Sequence, residues 1–228
     1  RIGVIGNGST GVQIISALAG RAQLLEHYVR TPQWIMPVDN TPYSMEQRDA
    51  FRSDPAALQA AMRIEEFLAN VNSYTQVITR EDMEAAAFWK ASCLQNLEQG
   101  VADPVLREKL RPDHEPLCKR LIFSPDYYQA IQHPRAALVT DRIDRIEPAG
   151  IRTNDGELHE LDIIVFATGF KSDQFMRPMQ ITGQHGITLE ALWAQRPKAY
   201  LAISMPGFPN FFMLNGPNGP VGNFPLID

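Results

Sequence analysis

Three glycines near the start of the sequence have the spacing of a loop that binds phosphate groups. Gly6, Gly8 and Gly11 form a G-x-G-x-x-G pattern, which follows a short apolar segment and precedes one with helical spacing. In such a loop the first glycine permits a tight turn, the second lets a diphosphate approach the backbone, and the third allows close helix packing. The helix N-terminus adds free N–H groups and a partial positive charge. The pattern predicts a dinucleotide site; a glycine-rich turn without a ligand is the alternative.

A basic residue at the end of the next predicted strand indicates which dinucleotide is bound. In sites for NAD or FAD, a carboxylate about 20 residues beyond the loop binds the ribose hydroxyls. Here Arg30 lies nineteen residues after Gly11, and a guanidinium forms charge-assisted hydrogen bonds with a 2′-phosphate. Glu26 is a competing carboxylate, but it falls inside the strand predicted for Leu24–Val29. The pattern favours NADP over NAD, with a solvated charge at a strand end as the alternative for Arg30.

Composition and the remaining residues exclude several other classes of protein. The 228 residues are 44% hydrophobic, which is enough to form a buried core. The net charge of −5 does not favour binding to nucleic acid or to an anionic membrane surface. No apolar run approaches the roughly 18 residues of a membrane span. The five histidines are scattered, so we expect no metal site. Two cysteines, Cys93 and Cys118, suit the reduced thiols of a cytoplasmic protein. The sequence begins at Arg1, not at methionine, which suggests a segment of a longer protein.

Hydrophobic periodicity predicts an α/β fold in two separate parts of the chain. Residues 1–33 show a strand, the glycine loop, a helix and a second strand, as at the start of a dinucleotide-binding domain. Residues 113–170 return to this pattern, and the apolar run Ile163–Ala167 precedes Thr168 and Gly169. Such a run is typical of a strand buried on both faces of a parallel sheet. We therefore predict a discontinuous, Rossmann-like dinucleotide-binding domain.

The segment between these parts, residues 34–112, is predicted to be a helical insertion. Asp54 and Asp103 each precede a proline, as N-caps do before proline at the first helical position. Two sets of apolar residues have helical spacing: Ile64, Phe67, Leu68 and Val71, and then Ala87, Ala91, Leu94 and Leu97. Residues 171–228 contain seven prolines and are predicted to form loops and short strands.

A set of short motifs, in order along the whole chain, resembles that of Baeyer–Villiger monooxygenases. The motifs are Gly6–Gly11, Arg30–Trp34, Leu117–Arg120, Tyr127–Tyr128, Ala167–Phe170 and Met205–Asn210. Enzymes of this family contain FAD, depend on NADPH, and use O2 to convert a ketone into an ester or lactone. The resemblance implies that the chain is the NADPH-binding part of such an enzyme, in which residues 171–228 return toward the FAD domain and substrate region.

The resemblance also implies roles for individual residues. The loop residues implied to bind NADP are Gly6, Asn7, Gly8, Ser9, Thr10, Gly11 and Gln13, and the segment from Asn7 to Gln13 is the part implied to wrap the diphosphate. Those implied to hold the 2′-phosphate are Arg30, Thr31 and Lys119, and a strand end shared with many flavoproteins adds Thr168 and Gly169 as cofactor-binding residues. Arg120 matches the family's catalytic arginine, which lies over the flavin and stabilises developing negative charge. Without the resemblance, a surface basic pair is the favoured interpretation of Lys119 and Arg120.

Two family motifs do not occur in this sequence. It has no second G-x-G-x-x-G for FAD and no Phe-x-Gly-x-x-x-His-x-x-x-Trp-Pro fingerprint. We therefore expect FAD to be bound mainly by another region of the same polypeptide, and this segment alone to be inactive. Two alternatives stay open: a flavin monooxygenase that oxidises nitrogen or sulfur, and a flavin-free NADP-binding module. The expected partners are a small-molecule ketone, O2 and the FAD-binding region.

Overall fold

The structure is a computed structural model that describes residues 1–62, 64–79, 82–171, 174–217 and 219. It shows a mixed α/β protein. The chain divides into two units, Arg1–Gly169 and Phe170–Asp228. The helices and strands in chain order are β1 (Ile2–Ile5), α1 (Ser9–Leu18), β2 (Leu25–Tyr28), β3 (Ile35–Met36), α2 (Met45–Ser53), α3 (Pro55–Ala61), α4 (Ile64–Thr79), α5 (Met83–Gly100), α6 (Pro104–Lys109), β4 (Ile122–Phe123), α7 (Tyr127–Ile131), β5 (Ala136–Val139), β6 (Ile143–Glu147), β7 (Gly150–Thr153), β8 (Leu158–Glu160), β9 (Ile163–Phe166) and α8 (Leu189–Leu192).

The first unit contains a four-stranded sheet with the order β5-β2-β1-β9. Ile2 of β1 pairs in parallel with Leu25 of β2 on one side and with Ile163 of β9 on the other. Leu25 in turn pairs in parallel with Ala136 of β5. Because the strands are parallel, their carboxyl ends lie along one edge of the sheet. The predicted α/β class with a parallel sheet is confirmed.

The two faces of this sheet pack against different elements. Side chains of a strand point alternately to opposite faces. On one face, Val4 and Leu25 belong to a buried cluster with Ile15 of α1 and Tyr127 of α7. On the other face, Tyr28 belongs to a cluster with residues of β7 and the segment after β8. There the strands β6, β7 and β8 form an antiparallel sheet. β2 therefore contributes side chains to both layers.

The prediction for β9 was wrong in one respect. The apolar run indicated burial on both faces, but Ile163 is 53% exposed and Phe166 is 64% exposed. Among the described strands, β9 pairs only with β1 and forms the edge of the parallel sheet. An apolar run identifies a strand, but it does not determine how many neighbours cover that strand.

Helices α2 to α6 lie in the chain between β3 and β4, two short strands that pair in parallel. The predicted N-caps are confirmed, because the carboxylates of Asp54 and Asp103 accept hydrogen bonds from the N–H groups of Ala56 and Val105. Each cap satisfies an N–H group that has no acceptor within the helix.

The buried face of α5 differs in part from the predicted one, because Leu97 is buried as predicted but the predicted alanines are not. Trp89, Cys93 and Leu97 are buried, whereas Ala87 and Ala91 are exposed. Trp89 and Cys93 pack with Trp34 and Leu121, whereas Leu97 belongs to the main core cluster. These contacts determine the rotation of the helix, and helical spacing cannot predict them. In α4, the side chains of Ile64, Phe67 and Val71 lie outside the described residues, and Leu68 is 46% exposed.

The second unit has its own apolar cluster. Its buried members are Leu189, Trp193, Met205, Phe208 and Met213. Short strands were predicted there, but the described residues of this unit form only two isolated bridges, between residues 182 and 188 and between 200 and 204. Within the described parts of both units, every helix is too short or too polar to cross a lipid bilayer.

Candidate functional site

A pocket of about 620 Å³ opens at the carboxyl ends of the parallel strands. Its lining comes from the segments that follow β1, β2, β5 and β9, together with Lys119. β2 and β5 lie on one side of β1 and β9 lies on the other, so the loop after β1 lies where the strand order reverses. In open parallel sheets, ligands bind at such a point, outside the carboxyl ends of the strands.

The first and third glycines of the loop are required by the fold itself. Gly6 has a φ of +105°, and a Cβ placed there would lie 2.4 Å from the carbonyl oxygen of Ala167. A Cβ placed on Gly11 would lie 1.9 Å from the carbonyl oxygen of Gly6. Any side chain at these two positions therefore collides with backbone atoms, and both glycines are explained without a ligand.

The second glycine of the loop has a different environment. Gly8 has φ −69° and ψ −176°, a conformation that any residue adopts. A Cβ placed there meets no described atom within 4 Å, and Gly8 lines the pocket. Packing within the described protein therefore does not account for a glycine at this position.

The first turn of α1 carries unused hydrogen-bond donors. Gly8 is the N-cap residue, and its carbonyl oxygen accepts from the N–H of Val12 at 3.0 Å. Among the described residues, no side chain caps this end, and the first turn holds no acidic residue. The N–H groups of Ser9, Thr10 and Gly11 thus have no acceptor within the helix. They can bind an anion at the positive end of the helix dipole.

Basic and polar side chains gather around the segment after β2. Arg30 and Lys119 are exposed and line the pocket. The amide of Asn7 donates to the carbonyl oxygen of Thr31 at 2.8 Å, which ties the glycine loop to the Arg30 segment. Arg142, after β5, adds a third positively charged side chain to the lining. Among the described lining residues, Asp141 is the only acidic one, so the lining carries a net positive charge.

The carboxylate of Glu26 is turned away from this pocket. Glu26 is 8% exposed, and its Oε2 accepts a hydrogen bond from the hydroxyl of Tyr28 at 2.7 Å. Its Oε1 lies 3.0 Å from Nδ1 of His159, on β8. Both oxygens are therefore engaged on the face of the sheet that packs against the antiparallel strands.

A buried histidine lies behind the glycine loop. Nε2 of His27 lies 3.1 Å from the carbonyl oxygen of Gly6, and Nδ1 lies 3.1 Å from the hydroxyl of Tyr127. Burial lowers the pKa of His27 to about 4, against a smaller opposite effect of the contact with Gly6. The imidazole is thus neutral at neutral pH. Burial also raises the pKa of Tyr127, which keeps its hydroxyl protonated.

The structure brings together most of the residues singled out from the sequence, but not all of them. Those that line the pocket are Gly6, Asn7, Gly8, Arg30, Thr31, Lys119, Thr168 and Gly169. Those outside the lining are Ser9, Thr10, Gly11 and Gln13, in the first turns of α1, and Arg120, which is exposed beside Lys119. The lining residues missed by sequence reasoning include Gln33, Thr140, Asp141 and Arg142. For Thr140, Asp141 and Arg142 the available signal was the apolar run that ends at Val139, because such a run marks a strand and ligands bind beyond strand ends.

Sequence comparison finds relatives along the whole chain, although no protein-family model matches it. An uncharacterized monooxygenase of Mycobacterium tuberculosis is 44% identical over 226 residues, which cover 99% of this chain and 45% of that protein. A Baeyer–Villiger monooxygenase of Pseudooceanicola batsensis is 33% identical over 264 aligned residues, which cover 99% of this chain and 48% of that protein. The chain therefore spans about half the length of these relatives.

Solved structures give the same relationship. Cyclohexanone monooxygenase from Rhodococcus sp. Phi1, bound to NADP+, superposes with a TM-score of 0.80 at 31% identity, covering 99% of this chain and 49% of that one. OTEMO in complex with FAD and NADP superposes with a TM-score of 0.73 at 31% identity, covering 95% of this chain and 46% of that one. Both the fold and the sequence of this chain are thus similar to one half of these enzymes.

Proposed function

We propose that this chain is the NADPH-binding part of a Baeyer–Villiger-type flavin monooxygenase, which converts a ketone into an ester or lactone; the similarity to enzymes of that name supports the proposal. In this proposal the whole enzyme uses FAD, NADPH and O2, and its main FAD-binding region corresponds to the half of the relatives that this chain does not match. The segment by itself is inactive as an oxygenase, because it lacks that region.

Gly8 is the observation that carries the proposal. The fold accounts for Gly6 and Gly11 through backbone collisions, but it leaves Gly8 with open space and an unrestricted backbone conformation. A diphosphate that approaches the backbone more closely than a side chain permits accounts for the glycine. The unused N–H groups of the first turn of α1 lie next to Gly8 and suit the same anion.

The positive charge of the pocket lining suits NADPH, as does the backbone of the glycine loop. The diphosphate is held by the loop residues Asn7, Gly8, Ser9, Thr10, Gly11 and Gln13. The 2′-phosphate is held by Arg30, Thr31 and Lys119, because its charge is matched by two cations of the lining. When bound, NADPH supplies a hydride and FAD supplies the site at which O2 reacts. The lining residues of this chain bind and orient the nucleotide.

The arrangement of elements supports a discontinuous Rossmann-like domain made of residues 1–33 and 113–170. The parallel sheet combines β1 and β2 from the first part with β5 and β9 from the second. Residues 34–112 form a helical insertion, because β3 and β4 pair in parallel on either side of the helices. Residues 171–228 are the segment that returns toward the FAD domain and the substrate region.

Arg120 is the proposed catalytic residue. It is exposed and adjacent to Lys119 in the chain, so it lies next to the proposed nucleotide site and is free to face a flavin bound by the other half of the enzyme. Its guanidinium stays charged at any working pH and stabilises the negative charge that develops during oxygen transfer.

Titration of the chain with NADPH and NADH tests the nucleotide site. We expect NADPH to bind more tightly than NADH, and Gly8→Ala to weaken NADPH binding on the order of tenfold with only a small decrease in melting temperature. Gly20→Ala is the matched control, since its Cβ also meets no described atom within 4 Å but Gly20 lies outside the pocket lining. Lack of NADPH binding, or equal binding by Gly8→Ala, would contradict the proposal.

Product analysis in the complete enzyme tests the reaction. A ketone and a thioether are offered together with NADPH and O2, and we expect an ester or lactone. Formation of a sulfoxide alone would assign the enzyme to the sulfur- and nitrogen-oxidising flavin monooxygenases. A complete protein that binds NADPH but no flavin would be an NADP-binding module instead.

A further inference from the structure

The two contacts of His27 determine which of its nitrogens carries the proton. A neutral imidazole has one N–H donor and one acceptor nitrogen. The carbonyl oxygen of Gly6 can only accept, so Nε2 carries the proton and donates to it. Nδ1 then accepts from the hydroxyl of Tyr127. The chain of hydrogen bonds therefore runs in one direction, from Tyr127 through His27 to the glycine loop.

His27 is an unusual residue for its position. It is 0% exposed and faces the apolar cluster that contains Leu25, Ile15 and Tyr127. A β-branched apolar residue suits a buried strand better, and a buried polar group is costly unless its hydrogen bonds are made. The proposed NADPH contacts do not involve His27, so its presence requires a separate explanation.

Gly6, whose carbonyl oxygen His27 contacts, is held on both sides of its Cα. The N–H of Gly6 donates to the carbonyl oxygen of Tyr28 at 3.1 Å. The carbonyl of Gly6 lies against Gly11, where a Cβ would come within 1.9 Å. Because the donor, His27, is fully buried, this carbonyl points into the core and away from the pocket. The reversed peptide orientation would direct the negative end of its dipole at the space proposed for the diphosphate.

We infer that His27 is a positioning residue for the diphosphate loop, which holds the carbonyl of Gly6 turned away from the bound nucleotide through its hydrogen bond. Tyr127 is its orienting partner and is itself fixed at the start of α7, where its N–H donates to the hydroxyl of Ser124 at 3.2 Å. Glycines leave a loop conformationally free, and this contact restricts it from behind. The inference rests on the proposed binding of NADPH.

Four variants of the chain test this role by NADPH titration and thermal melting. His27→Val removes the donor and is expected to raise the NADPH Kd on the order of tenfold. His27→Gln keeps a side-chain N–H at this position and should recover most of the affinity. Tyr127→Phe should have an intermediate effect. Glu26→Gln is the matched control, because this neighbour is also buried and hydrogen-bonded but lies on the opposite face of β2; it should lower the melting temperature and leave the Kd unchanged.

Hydrogen exchange of the backbone amides at residues 6–11 gives a readout that does not depend on the nucleotide. We expect faster exchange in this loop for His27→Val and no change there for Glu26→Gln. The inference is overturned if loop exchange is unchanged in His27→Val and Tyr127→Phe, or if Glu26→Gln weakens NADPH binding as much as His27→Val does. An unsubstituted chain that fails to bind NADPH overturns the proposed function instead, and the exchange measurement still decides whether His27 holds the loop.

Discussion

Oε1 of Glu26 lies 3.0 Å from Nδ1 of His159, and this contact joins the parallel sheet to the antiparallel sheet. The second carboxylate oxygen accepts from Tyr28; burial and this hydrogen bond raise the pKa of the Tyr28 hydroxyl. The carboxylate that competed with Arg30 for the ribose in the sequence is thus engaged in a structural contact. This arrangement supports NADPH rather than NADH as the preferred nucleotide.

Glu26→Ala should therefore reduce stability without affecting the nucleotide site. The buried hydroxyl of Tyr28 and the imidazole of His159 lose their acceptor, which should lower the free energy of unfolding by about 2–3 kcal/mol. Urea denaturation measures this loss, and NADPH titration should give an unchanged Kd. Tyr28→Phe removes only one of the two contacts and should have a smaller effect. A higher NADPH Kd at unchanged stability would instead indicate that Glu26 contacts the nucleotide.

Gly11→Ala should destabilise the chain strongly. The added methyl group collides with the carbonyl oxygen of Gly6, so α1 must shift relative to β1, at a cost of about 3 kcal/mol or more. Gly8→Ala, in the same loop, should cost about 1 kcal/mol or less, because its Cβ meets open space and only the N-cap preference for glycine is lost. Similar unfolding curves for the two variants would contradict the assigned roles of these glycines.

Removal of a positively charged side chain from the pocket should weaken the binding of NADPH more than the binding of NADH. Arg30→Ala and Lys119→Ala should each weaken NADPH binding on the order of tenfold or more and leave NADH binding nearly unchanged, because NADH lacks the 2′-phosphate. Arg142→Ala should follow the same pattern if Arg142 contacts the phosphate, and should weaken both nucleotides if it contacts the adenosine. Arg135→Ala, at the opposite end of β5, is the control and should change neither affinity. Equal losses for both nucleotides in the Arg30 and Lys119 variants would contradict the NADPH assignment.

Stability should decrease as the pH falls through the range in which His27 titrates only in the unfolded chain. Burial lowers the pKa of His27 from 6.5 to about 4, so between these values the unfolded chain binds more protons than the folded chain. The free energy of unfolding should therefore fall as the pH decreases across this range, by about 3 kcal/mol in total. Above about pH 6.5 the residue is neutral in both states and contributes no slope. Urea denaturation at several pH values should show a flatter dependence for His27→Val, and identical slopes would refute the assignment.

Arg120→Ala should abolish ester or lactone formation in the complete enzyme while the NADPH Kd of the enzyme stays nearly unchanged. Loss of one well-placed donor to a developing anion typically reduces turnover by about 10²–10³-fold. Arg120→Lys should recover only part of the rate, since an ammonium lacks the planar fork of donors. Steady-state rates with a ketone and NADPH titrations of both variants provide the measurements. Retained ester formation in Arg120→Ala would remove Arg120 from the catalytic role.

Local patterns were sufficient for the elements that begin the fold. The spacing of Gly6, Gly8 and Gly11 between a strand and a helix predicted the loop, and the Asp-Pro pairs at residues 54 and 103 predicted helix starts that the structure confirms. These features depend on backbone conformation and on contacts between residues close in the chain. The sequence by itself therefore determined the α/β class, the position of the loop and the basic residue after β2.

Tertiary structure decided everything that depends on residues distant in the chain. The edge position of β9, the buried face of α5 and the lining residues after β5 follow from how elements pack, which local periodicity does not contain. The same holds for the two polar residues of β2. Glu26 and His27 are adjacent in the sequence, but they face opposite layers. Glu26 contacts His159, 133 residues further along the chain, and His27 contacts Tyr127, 100 residues further along. Alternation along a strand separates their side chains, and only the packing of each face determines what each side chain meets.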